Sequence, residues 1–380
     1  MKIVYCIDSY GAGGIEQITV LKANALAEKN DNHVWIVYTD LPQEGGFHFP
    51  SNRVRLVDLG IRYRDNSLPF PWNLLKYFSD NKKHKTALAA FLKELHPDIV
   101  VSTGMKEKYF IHGIRRSWGL LREQHVSKGA RLQSVSSWRD KWVAKIQEWF
   151  EYRRALQKYD RLVVLTADEK EAAWGNNPKV AVIPNPARVL LNHSESFNQR
   201  SIIAVGRLEA GKNYASLIRA FSALAPRFPD WSLSIFGEGT LRNNLQAQIR
   251  GLGLDNRVFL PGFNVDMESC FVKSSIFVHT SLYETFGLVI LEAMGCGLPA
   301  IAYDCPYGPR SIISNGIDGF LVPLNDEKAL VSSMSFLMEN ESLRKKMGQA
   351  ALKKANLYSI ERICLLWEQL FQQVVQEKNR

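Results

Sequence analysis

The feature that most constrains the fold is the regular alternation of short apolar runs with longer helical runs. Residues 2–7 are a strand candidate, residues 18–29 form an amphipathic run with helical spacing, and residues 33–38 are a second strand candidate. A strand, a helix and a strand in this order make a βαβ unit with parallel strands. Later strand candidates lie at 54–59, 99–102 and 162–166, and a helix is predicted over 85–95. We therefore predict that the chain begins with a parallel sheet covered by helices.

A second series of the same kind follows a polar stretch. Residues 184–186 read Pro-Asn-Pro, and residues 187–200 are polar without clear periodicity, which is typical of a hinge. The strand candidates after it lie at 202–205, 232–236, 258–260, 276–280, 300–303 and 320–322. We predict two doubly wound, Rossmann-like α/β domains at residues 1–186 and 187–358, with a terminal helix over 359–380. Facing each other, such domains would bind a ligand in the cleft at the carboxyl ends of their strands.

The segment Tyr283–Pro299 contains two carboxylates separated by an apolar run. The apolar residues from Phe286 to Met294 predict a buried helix that ends near Gly295. Glu284 would then lie in the loop before the helix, and Glu292 on the helix itself.

The start of this helix predicts a binding site. The backbone amides of Phe286, Gly287 and Leu288 would attract an anion, whereas Glu284 and Glu292 are better suited to hydroxyl groups. A nucleotide-sugar carries both phosphate and sugar hydroxyls and would use all of these parts. The alternative is a buried helix with one capping and one hydrogen-bonded core glutamate.

Two further patterns are compatible with phosphate. Gly13 and Gly14, with Gly11, follow the first strand, where missing side chains let a backbone approach a phosphate closely; the alternative is a tight turn. Arg207 and Lys212 follow the next domain's first strand, and two cations there can neutralise a diphosphate; the alternative is a pair of solvated side chains.

In their order along the chain, these motifs resemble those of family 4 of the retaining glycosyltransferases, which have the GT-B fold. Glu284 and Glu292 match its Glu-x7-Glu signature. The other matching segments are Gly11–Glu16, Val182–Pro186, Val205–Leu208 with Lys212, Phe236–Gly239, and Gly308-Pro309 followed by Gly316–Val322. Ser311 stands where relatives commonly have a glutamate, which leaves the role of the loop 306–312 open.

The resemblance implies a role for each site residue. Arg207 and Lys212 would contact the pyrophosphate, Glu292 the ribose hydroxyls, and Glu284 the donor sugar. His125 matches a cleft histidine near the donor sugar, although a lone histidine is more often structural. The remaining positions of the implied donor site are Gly13, Gly14, Gly206, Gly237, Phe286, Gly287 and Leu288.

The resemblance also implies an activity. We expect retaining transfer of a hexose-class sugar from a UDP-sugar to a glycan acceptor in cell-surface polysaccharide biosynthesis. The sequence contains no Asp-x-Asp carboxylate pair for a metal-diphosphate complex, so we expect no cofactor and no metal. A nucleotide-sugar epimerase, a phosphorylase and a non-catalytic relative of the same fold remain alternatives.

The uneven charge predicts where the protein works. Residues 1–185 contain 28 Lys and Arg against 20 Asp and Glu, which is +8 of the chain's +10. Between Lys106 and Arg161, basic residues alternate with tryptophans, as on proteins that touch an anionic membrane or a phosphorylated lipid. We therefore expect a lipid-linked acceptor and peripheral contact with the inner face of the membrane. The alternative is a solvated basic face with core tryptophans, and no nucleic-acid-binding motif is present.

The cysteines indicate the compartment. There are five, without Cys-x-x-Cys spacing, which predicts neither a disulfide framework nor a zinc site and fits the cytoplasm. No apolar run approaches the length of a membrane span, and the apolar start at residues 3–7 is too short for a signal segment. We therefore expect a protein that is neither secreted by that route nor integral to a membrane.

Overall fold

The computed structural model describes residues 1–9, 13–29, 31–40, 49–63, 72–114, 116–128, 137–152, 156–188 and 199–380. Gly11 and most of the predicted hinge therefore lie outside the described residues. The chain divides into two compact units. The first unit comprises Met1–Pro186 with Ile360–Arg380, and the second unit comprises Ala187–Ser359.

The first unit is built on a parallel sheet. Its strands are β1 (Lys2–Cys6), β2 (His33–Tyr38), β3 (Val54–Asp58), β4 (Ile99–Ser102), β5 (Gly119–Glu123), β6 (Arg161–Val164) and β7 (Val180–Val182). They lie in the order β3-β2-β1-β4-β5-β6-β7, all parallel. Its helices are α1 (Gly14–Ala27), α2 (Trp72–Leu95), α3 (Trp138–Phe150), α4 (Ala167–Trp174) and α12 (Ile360–Lys378).

Helices cover both faces of this sheet. Along β1, Ile3 and Tyr5 share a buried cluster with Trp367 of α12, while Val4 shares the opposite cluster with Leu92 of α2. This two-sided burial explains why the strands are apolar throughout instead of alternating with polar residues. The C-terminal helix α12 is thus part of the core of the first unit.

The second unit repeats the architecture. Its strands are β8 (Ser201–Val205), β9 (Ser232–Phe236), β10 (Val258–Gly262), β11 (Ile276–His279), β12 (Ala300–Tyr303) and β13 (Gly319–Val322). They are parallel, in the order β10-β9-β8-β11-β12-β13. Its helices are α5 (Tyr214–Leu224), α6 (Arg242–Gly251), α7 (Met267–Val272), α8 (Leu288–Gly295), α9 (Gly308–Ile312), α10 (Glu327–Glu339) and α11 (Glu341–Asn356). The predicted α/β fold of two doubly wound units is confirmed.

Several predicted elements differ from the observed ones. Strand β5 was not predicted, because only Leu120 and Leu121 are apolar, and the charged Arg122 and Glu123 that follow are buried. Helix α2 begins 13 residues before the predicted start, over a stretch rich in polar residues. Within the described residues, no helix is both long and apolar enough to cross a bilayer.

Candidate functional site

Two glycines shape the carboxyl ends of β8 and β9. Gly206 and Gly237 have φ of +152° and +135°. A Cβ atom on Gly237 would lie 2.1 Å from the carbonyl oxygen of Gly206. The Gly206 amide donates to the carbonyl of Phe236 at 2.9 Å, which fixes the two loops against each other. Only glycine at 237 permits this close approach of the backbones.

Replacing Gly237 with alanine should therefore destabilise the second unit by about 3 kcal/mol, from the positive φ and the contact with Gly206. The matched control is Gly251→Ala at the end of α6, where a Cβ would meet no neighbour within 4 Å and helix propensity favours alanine. Urea unfolding of both variants measures the difference. Equal stability of the two variants would contradict the backbone contact.

Lys212, Glu284 and His279 form a charged cluster beside these glycines. Lys212 Nζ lies 2.7 Å from Glu284 Oε2, and His279 Nε2 lies 3.2 Å from the same oxygen. Lys212 is the last residue of a 3₁₀ turn, and its carbonyl accepts a hydrogen bond from the Thr280 hydroxyl. The Lys212 Cε lies 3.4 Å from the position of a Cβ on Gly206. The fold thus brings the predicted Lys212 and Glu284 together and adds His279, which was not predicted.

The cluster holds Glu284 as a carboxylate. Burial by itself raises the pKa of Glu284, but the Lys212 charge and the His279 hydrogen bond bring it well below its usual range. Burial lowers the pKa of His279, with Lys212 acting in the same direction and Glu284 against it. Because the carboxylate can only accept, the hydrogen bond between them requires that Nε2 of His279 carries a proton.

Arg207 is placed differently from Lys212. It directly follows Gly206, and its side chain is exposed. Within the part of the chain that the structure describes, Arg207 forms no ion pair within 4 Å. Its charge helps to lower the pKa of Glu209, after the Thr240 hydrogen bonds. Its guanidinium is therefore available to an anionic ligand.

Helix α8 begins at Leu288, two residues later than predicted. Gly287 caps it with φ +97°, and the Phe286 side chain is buried before it. Among the described residues, the amides of Phe286, Gly287 and Leu288 have no hydrogen-bond acceptor. A Cβ on Gly287 would lie 3.6 Å from Glu284 Cγ, so these amides adjoin the charged cluster. Glu284 lies in the loop before α8, as the prediction has it.

Glu292 has a separate partner. It is buried on α8 and forms an ion pair with Arg188, which also donates through Nε. Burial raises the pKa of Glu292, and the Arg188 charge opposes this shift. Arg188 was not predicted, since it lies in a polar stretch without a motif. Among the described residues, Glu284 and Glu292 therefore have different charged partners, Lys212 and Arg188.

The loop 306–312 has local contacts of its own. Arg310 forms a two-pronged hydrogen bond with Asp304, at 2.8 and 2.9 Å. The hydroxyl of Ser311, where relatives commonly have a glutamate, donates to the carbonyl of Tyr307 at 2.9 Å.

His125 belongs to the first unit, next to a buried ion pair. His125 Nε2 lies 3.4 Å from Glu123 Oε1, and Glu123 pairs with Lys22 of α1. Burial opposes ionisation of Glu123, but Lys22 and His125 lower its pKa to about 2. A pocket beside them is lined by Ile15, Thr103, Met105, Lys108, Arg122, Gln124, His125, Val126, Ser127, Glu148, Glu151 and Tyr152.

Gly13 and Gly14 of the first unit have ordinary backbone geometry. Gly13 caps α1 with φ −69°, which any residue adopts, and Gly14 is the first helical residue. A Cβ on Gly13 would meet only the mobile end of Glu16. Among the described residues, no three His, Cys, Asp or Glu side chains are grouped as metal ligands.

Comparison with known proteins adds a family. Residues 192–354 match the sequence profile of the family described as Glycosyl transferases group 1. The chain is 27% identical to an uncharacterized glycosyltransferase of Haemophilus influenzae, over 97% of this chain and 99% of that protein. It is 36% identical to an exopolysaccharide phosphotransferase of Streptomyces coelicolor over 58% of this chain, a match that spans 24% of that protein.

A solved structure shares the fold. It is a variant of S. aureus TarM in complex with Fondaparinux, alpha-GlcNAc-glycerol and UDP. The TM-score is 0.75 at 14% sequence identity, over 97% of this chain and 99% of that one.

Proposed function

We propose that this chain, which has the GT-B fold and whose residues 192–354 match the profile of Glycosyl transferases group 1, moves a hexose-class sugar from a UDP-sugar to a glycan acceptor with retention at the anomeric carbon. The observation that carries the proposal is the cluster of Lys212, Glu284 and His279 beside the α8 amides and the exposed Arg207. Two cations and unpaired amides suit a diphosphate, while an ionised carboxylate suits sugar hydroxyls. Retention and the UDP base follow from the family resemblance, and the TarM complex contains UDP.

The residues divide the chemistry between binding and charge stabilisation. The bond from the anomeric carbon to the diphosphate oxygen breaks, and Arg207, Lys212 and the α8 amides stabilise the negative charge that develops on the leaving diphosphate. The acceptor oxygen bonds to the same carbon on the same face, and its proton passes to the diphosphate oxygen.

In this scheme Glu284 remains a carboxylate throughout the reaction. Since its pKa lies well below the usual range, it stays ionised at neutral pH and is not a proton donor. It accepts hydrogen bonds from the donor sugar and holds Lys212 in place. Glu292 accepts hydrogen bonds from the ribose hydroxyls. Because Arg188 pairs with the same carboxylate, it must share the carboxylate with the ribose or move away when the donor binds.

For the acceptor we propose a lipid-linked glycan of cell-surface polysaccharide biosynthesis. The basic first half of the chain supports this, because a phosphorylated lipid carrier is anionic. His125 and the polar pocket beside it would then contact the sugars of this acceptor glycan.

The proposal is tested by release of free nucleoside diphosphate. A panel of nucleotide-sugars is incubated with the protein, with and without glycan acceptors, and the diphosphate is quantified. We expect release from a UDP-hexose that rises when acceptor is added. A binding relative without catalysis would release none, and an epimerase would convert the donor sugar without releasing diphosphate.

We also expect transfer to continue in excess EDTA, since Arg207, Lys212 and the α8 amides take the place of a metal at the diphosphate. The measurement is diphosphate release before and after chelation, with Mg²⁺ and Mn²⁺ added back. Activity that disappears with EDTA and returns with either ion would show that the diphosphate site is misassigned.

A further inference from the structure

Helix α3 exposes an unusual set of large apolar side chains. Trp138, Trp142 and Trp149 are 74%, 65% and 56% exposed, and Ile146 is 48% exposed. Tryptophan is normally well buried, and contiguous exposed apolar side chains mark a surface that contacts another phase or molecule. Trp118, by contrast, is in the core, so the structure separates tryptophans that the sequence alone could not distinguish.

The three tryptophans form one stripe. At about 100° per residue, Trp138, Trp142 and Trp149 fall within an arc of about 40° around the helix. Ala144, which is buried, lies about 140° from the centre of that arc. The stripe therefore points away from the core of its own unit.

Basic residues border the stripe on both sides. By helix position, Lys145 lies about 40° from its centre on one side, and Arg139 about 80° on the other. The Arg139 guanidinium lies 5.5 Å from the Trp138 ring centroid. The acidic Glu148 is farther away, at about 100°. Tryptophans flanked by lysine and arginine are the pattern of helices that lie in the interface of an anionic bilayer.

The basic residues beside the stripe argue against a second copy of the chain or another protein as its binding partner. A symmetric dimer through this face would bring the basic side chains Arg139, Lys141 and Lys145 of the two copies together, and like charges repel. The centre of a protein interface is depleted in lysine, whereas Lys145 adjoins the centre of this stripe.

We propose that α3 is an interfacial helix that docks the first unit on an anionic lipid bilayer through Trp138, Trp142 and Trp149, with Arg139, Lys141 and Lys145 contacting the lipid phosphates. This inference deepens the proposed function, since it rests on the lipid-linked acceptor proposed above. Arg116, another basic residue of the segment between Lys106 and Arg161, instead donates to Asp160 at 3.3 Å. Arg115 lies outside the described residues.

Vesicle flotation of the full chain tests the proposal, with phosphatidylcholine vesicles that contain or lack phosphatidylglycerol. We expect flotation with the anionic vesicles at low salt, and at least tenfold weaker binding for Trp138→Ser/Trp142→Ser/Trp149→Ser and for Arg139→Gln/Lys141→Gln/Lys145→Gln. The matched controls on the second unit are Ile317→Ser/Phe336→Ser/Leu357→Ser, also exposed apolar residues, and Arg250→Gln/Lys346→Gln/Lys353→Gln. Both controls should bind as the unchanged protein does.

Three results would overturn the proposal: no flotation at low salt, equal loss in the α3 variants and their controls, or a dimer in ultracentrifugation that the tryptophan variant converts to monomer. Sugar transfer to a lipid-linked glycan dissolved in detergent, without a bilayer, is measured on the same proteins. Flotation without transfer would refute the proposed function but support membrane docking through α3. Transfer without flotation would support the proposed function but refute the docking.

Discussion

Turnover of sugar transfer is expected to fall about a hundredfold in Lys212→Ala, because one contact that strengthens as charge develops on the leaving diphosphate is worth about 3 kcal/mol. The side chain is partly exposed, so the fold should be kept. Its loss also removes the counterion of Glu284, which keeps the His279 hydrogen bond. Turnover in Arg207→Ala should fall by a similar factor, because the guanidinium makes no ion pair within the described residues and is available to the diphosphate. Since the side chain is exposed, the fold should be kept here too.

The control for both is Arg250→Ala on α6, an exposed cation of the same unit whose nearest carboxylate, Asp255, is 3.9 Å away. Its turnover should be unchanged. Diphosphate release at saturating donor gives the turnover, and thermal unfolding checks the fold. Near-normal turnover in both Lys212→Ala and Arg207→Ala would refute the assignment of the diphosphate site.

The second large effect concerns stability. Lys22→Met is expected to lower the free energy of unfolding by about 3–5 kcal/mol, because it leaves the Glu123 carboxylate without its buried partner. Both side chains are about 1% exposed, and Lys22 Nζ lies 4.6 Å from the Trp367 ring centroid of α12. The pair therefore lies where α1, β5 and α12 meet.

A matched control is available just after the same helix. Lys29 also pairs with a carboxylate of α12, that of Glu368, but Lys29 is 42% exposed. Lys29→Met should therefore cost no more than about 1 kcal/mol. The double variant Lys22→Met/Glu123→Leu should recover part of the loss, as no buried charge remains unpaired. Urea unfolding compares the variants, and equal costs for Lys22→Met and Lys29→Met would show that the buried pair is not important for stability.

The sequence by itself determined the fold class and the local position of the main motif. Alternating apolar runs were enough to predict parallel α/β architecture, because burial on both faces makes whole strands apolar. The spacing of Glu284 and Glu292 around an apolar run correctly placed one in a loop and the other on a helix. The apolar pattern did not predict β5, because the last two residues of this strand are charged and become buried only through partners elsewhere in the chain.

Only the tertiary structure decided the partners of the charged residues. Lys212 and Glu284 are 72 residues apart, Lys22 and Glu123 are 101 apart, and Arg188 and Glu292 are 104 apart. Periodicity reports which face of an element is buried, but not which element lies against it, since strand order brings distant segments together. The same reason applies to the tryptophans, as Trp118 packs in the core while those of α3 face outward. The sequence showed their number and charge context, and the packing of the first unit determined which of them are exposed.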